Sequence, residues 1–353
     1  MTDKGRTEFA PDRKHTIRDF RLVSGETLPE ATIAYVAYGR LAPGGDNAIL
    51  VTHGFTSSHR FTDTHGPSGE GSWGPLVGPG KAIDTDRHFV VSSNMLGSSY
   101  GSTCPRSRDP RTGRAYGPNF PALDVRDIVN AQRAMLESIG VRRLLAVVGP
   151  SYGGFQAFVW GMTHPDFVDG IAPIISGLRA PRDPGADGRL VERFAAHANW
   201  NGGNYYENGG IFEAMRDLRV ETLLKYGAME ELATAFPDPS ARRAEIERRA
   251  AQWANEFDGN SLLTLMRASQ GYDATRELNR IRARVLYVLS RTDKLFPPAL
   301  RDEVMPALAA AGVDARYFEI DSIFGHQASG ADWSKWGPEL RKFLDALWTN
   351  RRI

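Results

Sequence analysis

Short apolar blocks recur along the chain at 48–51, 89–92, 144–148, 171–175 and 285–289, each with no charged residue inside it. Continuous rather than alternating apolar positions predict strands buried on both faces, the condition of a parallel sheet. Helical periodicity at 125–139 and 155–162 falls between these blocks, so strands and helices alternate as in a layered α/β protein. The earlier stretches 16–23 and 31–38 predict an opening antiparallel pair. From 178 to about 279 the order changes, and after a connector rich in Pro and Gly at 181–188 the pattern is almost wholly helical. One of these helices places Ile246, Ala250, Trp253 and Phe257 on one face and Arg242, Arg243, Glu247 and Arg248 elsewhere. The βα pattern resumes at 283, includes a strand at 315–320, and ends in a helix over 333–348. The chain therefore divides into a first core part at 1–176, an all-helical lid inserted at 177–279, and a second core part at 280–353. It contains no internal repeat and no low-complexity tract.

Charge narrows the partners. The 353 residues carry 43 basic and 42 acidic side chains, evenly interspersed, for a net charge of +1. That balance offers no electrostatic footprint for nucleic acid or an anionic membrane, so a small, nearly neutral partner is expected. Residues 1–14 are polar, and nowhere does an apolar run approach the ~20 residues of a membrane span, which predicts a cytoplasmic protein. The single cysteine, Cys104, excludes an internal disulfide and a multi-thiolate metal site, and with no histidine beside it reads as a packed thiol. His59 and His65 flank Asp63 without a third ligand, so no metal is expected.

A serine attacks a carbonyl only when a base removes its proton and a tight strand-to-helix turn holds its Oγ clear of the backbone. Gly149-Pro150-Ser151-Tyr152-Gly153 has the G-x-S-x-G spacing of such a turn, and so does Gly97-Ser98-Ser99-Tyr100-Gly101. Context separates them. Ser151 directly follows the apolar strand 144–148 and precedes a helix, whereas Ser99 precedes Cys104-Pro105-Arg106-Ser107-Arg108-Asp109-Pro110, a loop. The acid and base of such a site follow the nucleophile in that order, on loops after later strands. Asp293 lies just past the strand 285–289; His326 lies past the strand 315–320, and of eight histidines it alone follows both Ser151 and Asp293. His15, His88 and His197 read as surface or packed residues, and His164 as a cation at a helix C-terminus. For the oxyanion, the donors expected are the backbone N–H groups of Tyr152 and of Phe55, the latter from His53-Gly54-Phe55 after the strand 48–51.

Taken together, these pieces resemble the homoserine O-acetyltransferase family of α/β-hydrolases over most of the chain. The likeness is carried by Gly78-Pro79-Gly80-Lys81-Ala82-Ile83-Asp84-Thr85-Asp86, by Ser93-Asn94-Met95-Leu96-Gly97, and by Tyr100-Gly101-Ser102-Thr103. It continues through Gly149 to Gly153, Leu295-Phe296-Pro297-Pro298, and Glu319-Ile320-Asp321-Ser322 before Gly325-His326. The resemblance implies an α/β-hydrolase fold: a mostly parallel central sheet with helices on both faces and an inserted helical lid. It further implies acetylation of Ser151 by acetyl-CoA reaching it through a tunnel under the lid, transfer of the acetyl group to a hydroxyl, and a homodimer formed through the lids. No cofactor is implied; acetyl-CoA enters only as a substrate.

Two departures bear on the acceptor. The residue after the catalytic histidine is typically Asp in that family, suited to the ammonium of homoserine, and here it is Gln327. A lid stretch of the pattern R-x-A-I-x-x-D-P-x-W keeps only Trp200, with Val191, His197 and Ala198 at the other positions. Arg219 and Tyr226 keep the separation of an Arg and Tyr pair that in the family holds the acceptor; taken alone, Arg219 reads as a solvated helix face. Weakened acceptor contacts beside intact acylation machinery predict water as acceptor, hence a serine esterase of short, acetyl esters. The alternative is homoserine O-acetyltransferase. A catalytically dead binding module is a third reading, and the intact Ser151, Asp293 and His326 speak against it.

Overall fold

The computed structural model describes residues 11–63 and 72–351. Eight strands form one sheet: β1 (Arg13–Arg21), β2 (Thr27–Tyr38), β3 (Ala48–Thr52), β4 (Phe89–Ser93), β5 (Leu144–Pro150), β6 (Val168–Ile174), β7 (Arg284–Ser290) and β8 (Ala315–Ile320). Their order is β1-β2-β4-β3-β5-β6-β7-β8. The pairings β1 with β2 and β2 with β4 are antiparallel, and every later one is parallel. Each apolar block became a strand of this sheet, because helices cover both faces and every side chain must be buried whichever way it points. In β3, Leu50 joins the cluster containing Ile128 of α1 (Val125–Ser138) and Phe158 of α2 (Tyr152–Thr163). Its neighbours Ile49 and Val51 point the other way, into the cluster formed by Trp336, Leu340, Phe343 and Leu344. Those four residues recur at helical spacing on α10 (Trp333–Asn350), which is why that helix packs where it does.

Between β6 and β7 the chain leaves the sheet for five helices: α3 (Ala186–Ala195), α4 (Phe212–Lys225), α5 (Ala228–Glu231), α6 (Pro239–Glu256) and α7 (Gly259–Gln270). The apolar face of α6 is buried as its spacing predicts, with Ile246 and Ala250 packed on Val220 and Leu223 of α4. After β7 come α8 (Arg301–Ala310), then α9 (Ala328–Ala331) ahead of α10. Among the described residues no helix is long and apolar enough to cross a membrane.

A buried polar network fastens this helical insertion to the sheet. The Asp258 carboxylate, ahead of α7, accepts from Tyr205 Oη at 2.6 Å, Tyr206 Oη at 3.2 Å and the Ser261 N–H at 2.9 Å. The Asp258 N–H donates to Ser99 Oγ at 2.9 Å, and Trp253 Nε1 donates to the Thr56 carbonyl at 3.0 Å. Ser99, centre of the second G-x-S-x-G match, is thus a buried acceptor for the insertion. Asp258→Ala would strand two tyrosine hydroxyls and a helix N-terminal N–H, at about 1–3 kcal/mol each in part. Its urea unfolding midpoint is expected to fall by the equivalent of about 3 kcal/mol.

One boundary departs from the pattern. The helix expected to begin at 155 begins at Tyr152, taking in Gly153 and Gly154. Glycines oppose helix by propensity, but a side chain at Gly153 would meet the Thr52 carbonyl oxygen at 2.6 Å, so close packing selects them.

Candidate active site

Ser151 sits between β5 and α2 with φ 54° and ψ −119°, a left-handed conformation that costs a non-glycine residue energy. The surroundings enforce it. The Ser151 N–H donates to the Ile174 carbonyl at 2.9 Å, while its own carbonyl accepts from the Gly154 N–H and from Ser176 Oγ, each at 2.8 Å. A Cβ at Gly149, like one at Gly153, would stand 2.6 Å from the Thr52 carbonyl oxygen, so both glycines of the motif are positions of close approach to β3. The turn leaves Ser151 at the N-terminus of α2, whose dipole favours negative charge there.

Asp293 and His326 lie on loops after β7 and β8. His326 Nδ1 is 2.8 Å from Asp293 Oδ2, and the carboxylate's other oxygen accepts from the Leu295 N–H at 2.8 Å. Asp293 is buried at 2% exposure, which shields the pair from solvent competition. Thr292 Oγ1 accepts from the Gly325 N–H at 3.1 Å and donates to the Ser322 carbonyl at 2.9 Å, tying the two loops together. Ser151 and His326 line one cavity of about 50 Å³, so the structure brings the three sequence-predicted residues to one place.

Phe55 lines the same cavity, and its ring stacks on that of Tyr152 at 5.8 Å with planes 8° apart. The neighbouring His53 is fully buried, with Nδ1 2.9 Å from the Gly54 carbonyl oxygen and Nε2 3.0 Å from Asn94 Oδ1. Burial pushes its pKa down to about 4, keeping the ring neutral. A neutral ring has one N–H to give to either of these two oxygens; independently of which receives it, the Gly54–Phe55 peptide is trans, so the Phe55 N–H points opposite to the Gly54 carbonyl. The sequence named His53 only as part of His53-Gly54-Phe55 and gave its ring no role; the structure supplies one in its contacts with Gly54 and Asn94.

The three expected acceptor-binding residues fare differently. Tyr226 and Gln327 both line the cavity. Gln327 is 5% exposed and neither end of its carboxamide has a hydrogen-bond partner, a costly state for a buried amide. Arg219 is 1% exposed, which overturns its reading as a solvated helix face. Its Nη1 donates to Thr56 Oγ1 at 2.8 Å and its guanidinium lies 4.9 Å from the Trp253 ring. Thr56 lines the cavity, so Arg219 reaches it through that side chain. Ile175, also in the wall, has φ 43°, an outlier for a β-branched residue that nothing in the sequence announced.

His164 corrects another expectation. Burial, with Arg133 Nη1 2.8 Å from its Nδ1, pushes its pKa down to about 4, so the end of α2 carries a neutral ring and no cation. His59 Nε2 lies 2.7 Å from Asp12, and His65 falls outside the described residues. Among the described residues no group of three or more potential ligands could hold a metal. Cys104 is buried and its thiol pKa is pushed up by that burial, an inert packed thiol.

Similarity to known proteins bears on the fold and the family. The α/β-hydrolase fold family matches residues 47–308. The homoserine O-acetyltransferase of Symbiobacterium thermophilum is 38% identical over 352 residues, 92% of each chain. That of Haemophilus influenzae is 34% identical over 92% of this chain and 95% of its own. Among solved structures, esterase E22 superposes with a TM-score of 0.84 at 26% identity, over 95% of this chain and 100% of its own. The homoserine O-acetyltransferase of Bacillus anthracis, at 24% identity and a TM-score of 0.83 over 96% and 98% of the two chains, shares the fold. With its strand order, its strained Ser151 turn and these likenesses, the chain belongs to the homoserine O-acetyltransferase-like family of α/β hydrolases.

Proposed function

We propose that the protein transfers a short acyl group, acetyl, through an acyl-enzyme on Ser151 to a small hydroxyl acceptor. Acyl transfer is carried by one observation: Ser151 and His326 line the same cavity while His326 Nδ1 bonds Asp293 at 2.8 Å. His326 Nε2 takes the Ser151 proton as Oγ bonds the acyl carbon, and Asp293 holds the other ring nitrogen in its protonated form. The N–H groups of Phe55 and Tyr152 receive the oxyanion. The thiol or alcohol of the donor leaves with the proton from His326, and an acceptor hydroxyl then takes the acyl group by the reverse sequence. Likeness to homoserine O-acetyltransferases across 92% of the chain supports a hydroxyl compound over water as acceptor, and acetyl-CoA as donor.

Ester hydrolysis, the acceptor reading expected from Gln327, is the second reading. It is favoured by the uncharged, partnerless Gln327 amide and by the likeness to esterase E22. Incubation with acetyl-CoA, with and without homoserine, separates the two. Transfer predicts that homoserine speeds thiol release and that acetylhomoserine accumulates. Thiol release unaffected by homoserine, with acetate as product, makes the protein a hydrolase. In either case Gln327→Asp is expected to favour acetylhomoserine over ethyl acetate by about 1–3 kcal/mol, because the new carboxylate pairs with the ammonium.

A further inference from the structure

A histidine that accepts a proton must present Nε2 along one direction, and the bond from Nδ1 to Asp293 fixes only one point of the ring. The remaining freedom is limited by two aromatic contacts. Phe296, from the Asp293 loop, lies 5.8 Å from the imidazole with planes 28° apart. It is 2% exposed and backed by Phe155 at 5.9 Å, a wall that cannot yield. Tyr226 lies closer, at 4.8 Å between ring centroids with planes 52° apart, and it comes from the helical insertion.

The backbone around Tyr226 is built to hold that contact. The Tyr226 N–H donates to the Thr222 carbonyl at the end of α4, and Gly227 then turns the chain with φ +93°. A Cβ at Gly227 would stand 3.1 Å from the Phe324 carbonyl oxygen, and one at Gly325 would stand 3.5 Å from the Tyr226 carbonyl oxygen. The turn of the insertion therefore sits backbone to backbone on the loop that carries His326.

We propose that Tyr226 is a positioning residue for His326, acting through its ring rather than its hydroxyl. The ring holds the imidazole where Nε2 receives the Ser151 proton, and the helical insertion thereby completes the catalytic base. In this step the Oγ–H bond breaks, the proton goes to Nε2, and the oxygen electron pair forms the bond to the acyl carbon; Tyr226 exchanges nothing. A misplacement of about 1 Å in such a constellation costs on the order of 10²-fold in rate. An aromatic face beside the ring also favours the imidazolium formed in the step. The inference rests on the reading of His326 as base, and it assigns Tyr226 a task other than holding the acceptor.

The test uses the full chain with p-nitrophenyl acetate as acyl donor. Tyr226→Leu is expected to lower kcat by about 10- to 100-fold while KM for the ester moves less than about 3-fold, and Tyr226→Phe to retain most of the kcat that Leu loses. Unchanged kcat in Tyr226→Leu overturns the proposal. So does a Tyr226→Phe variant that loses as much kcat as Tyr226→Leu, which would place the effect in the hydroxyl and not in the ring. Should Tyr226→Leu not fold, Tyr226→Met, of similar reach and not aromatic, takes its place. His326→Ala in the same assay separates the two levels: if it turns over normally, the base assignment itself falls, whatever the Tyr226 variants do.

Discussion

Replacing Ser151 by Ala is expected to lower p-nitrophenyl acetate turnover by about 10³-fold or more, because members of such a triad act as one unit. Alanine keeps the Cβ, so the strained turn at φ 54° and its bonds to Ile174 and Ser176 are undisturbed, and the loss reports the Oγ alone. Ser99→Ala is the matched control. Ser99 Oγ accepts the Asp258 N–H, so this variant is expected to lose about 1–3 kcal/mol of stability and to keep kcat within about 3-fold. Steady-state kinetics on both, with urea unfolding to confirm folded protein, distinguishes a nucleophile from a buried acceptor. If the Ser99 variant is the inactive one, the assignment of the elbow is wrong.

Acidification from about pH 7.5 to about pH 4.5 is expected to remove several kcal/mol of folding stability through three buried histidines. Burial pushes His53, His88 and His164 each down to about 4, against about 6.5 in an unfolded chain. Above pH ~6.5 both states are neutral at these rings and nothing is lost. As the pH falls below that, the unfolded chain binds protons that the folded chain refuses, so stability declines until the folded rings titrate near 4. Each ring contributes at most about 3 kcal/mol by this linkage, with partly exposed His164 at the low end. The sum is large beside the about 5–15 kcal/mol that holds a typical domain. Carboxylates held low by arginines, such as Glu245 at about 2, add their losses only at lower pH. The urea midpoint at stepped pH checks this, and a midpoint constant from pH ~7 to pH ~5 would refute it. His88→Phe keeps the edge contact with Trp348, whose ring lies 5.4 Å away, and should flatten the decline.

Much of the core was legible because its signals are local. A run such as that around Ile49 and Val51 has no polar position to turn toward water, so only a strand covered on both faces accommodates it. The chain order of Ser151, Asp293 and His326 was legible too, since each follows an apolar block and loops at strand ends converge in a parallel sheet. The face of α6 followed from spacing alone. What escaped the sequence depends on partners far along the chain. Ser99 is an acceptor only because Asp258, 159 residues later, lies against it. Arg219 sits on a helix whose pattern allowed a solvated face, and it is buried because Thr56 and Trp253 meet it there. His164 matched the position of a helix-terminal cation, yet burial beside Arg133 keeps it neutral. Tyr226 touches His326 because two glycine turns bring separate loops into backbone contact. Periodicity and propensity describe how a segment treats its own faces; which segment covers a face, and with what charge, is decided only when the whole chain packs.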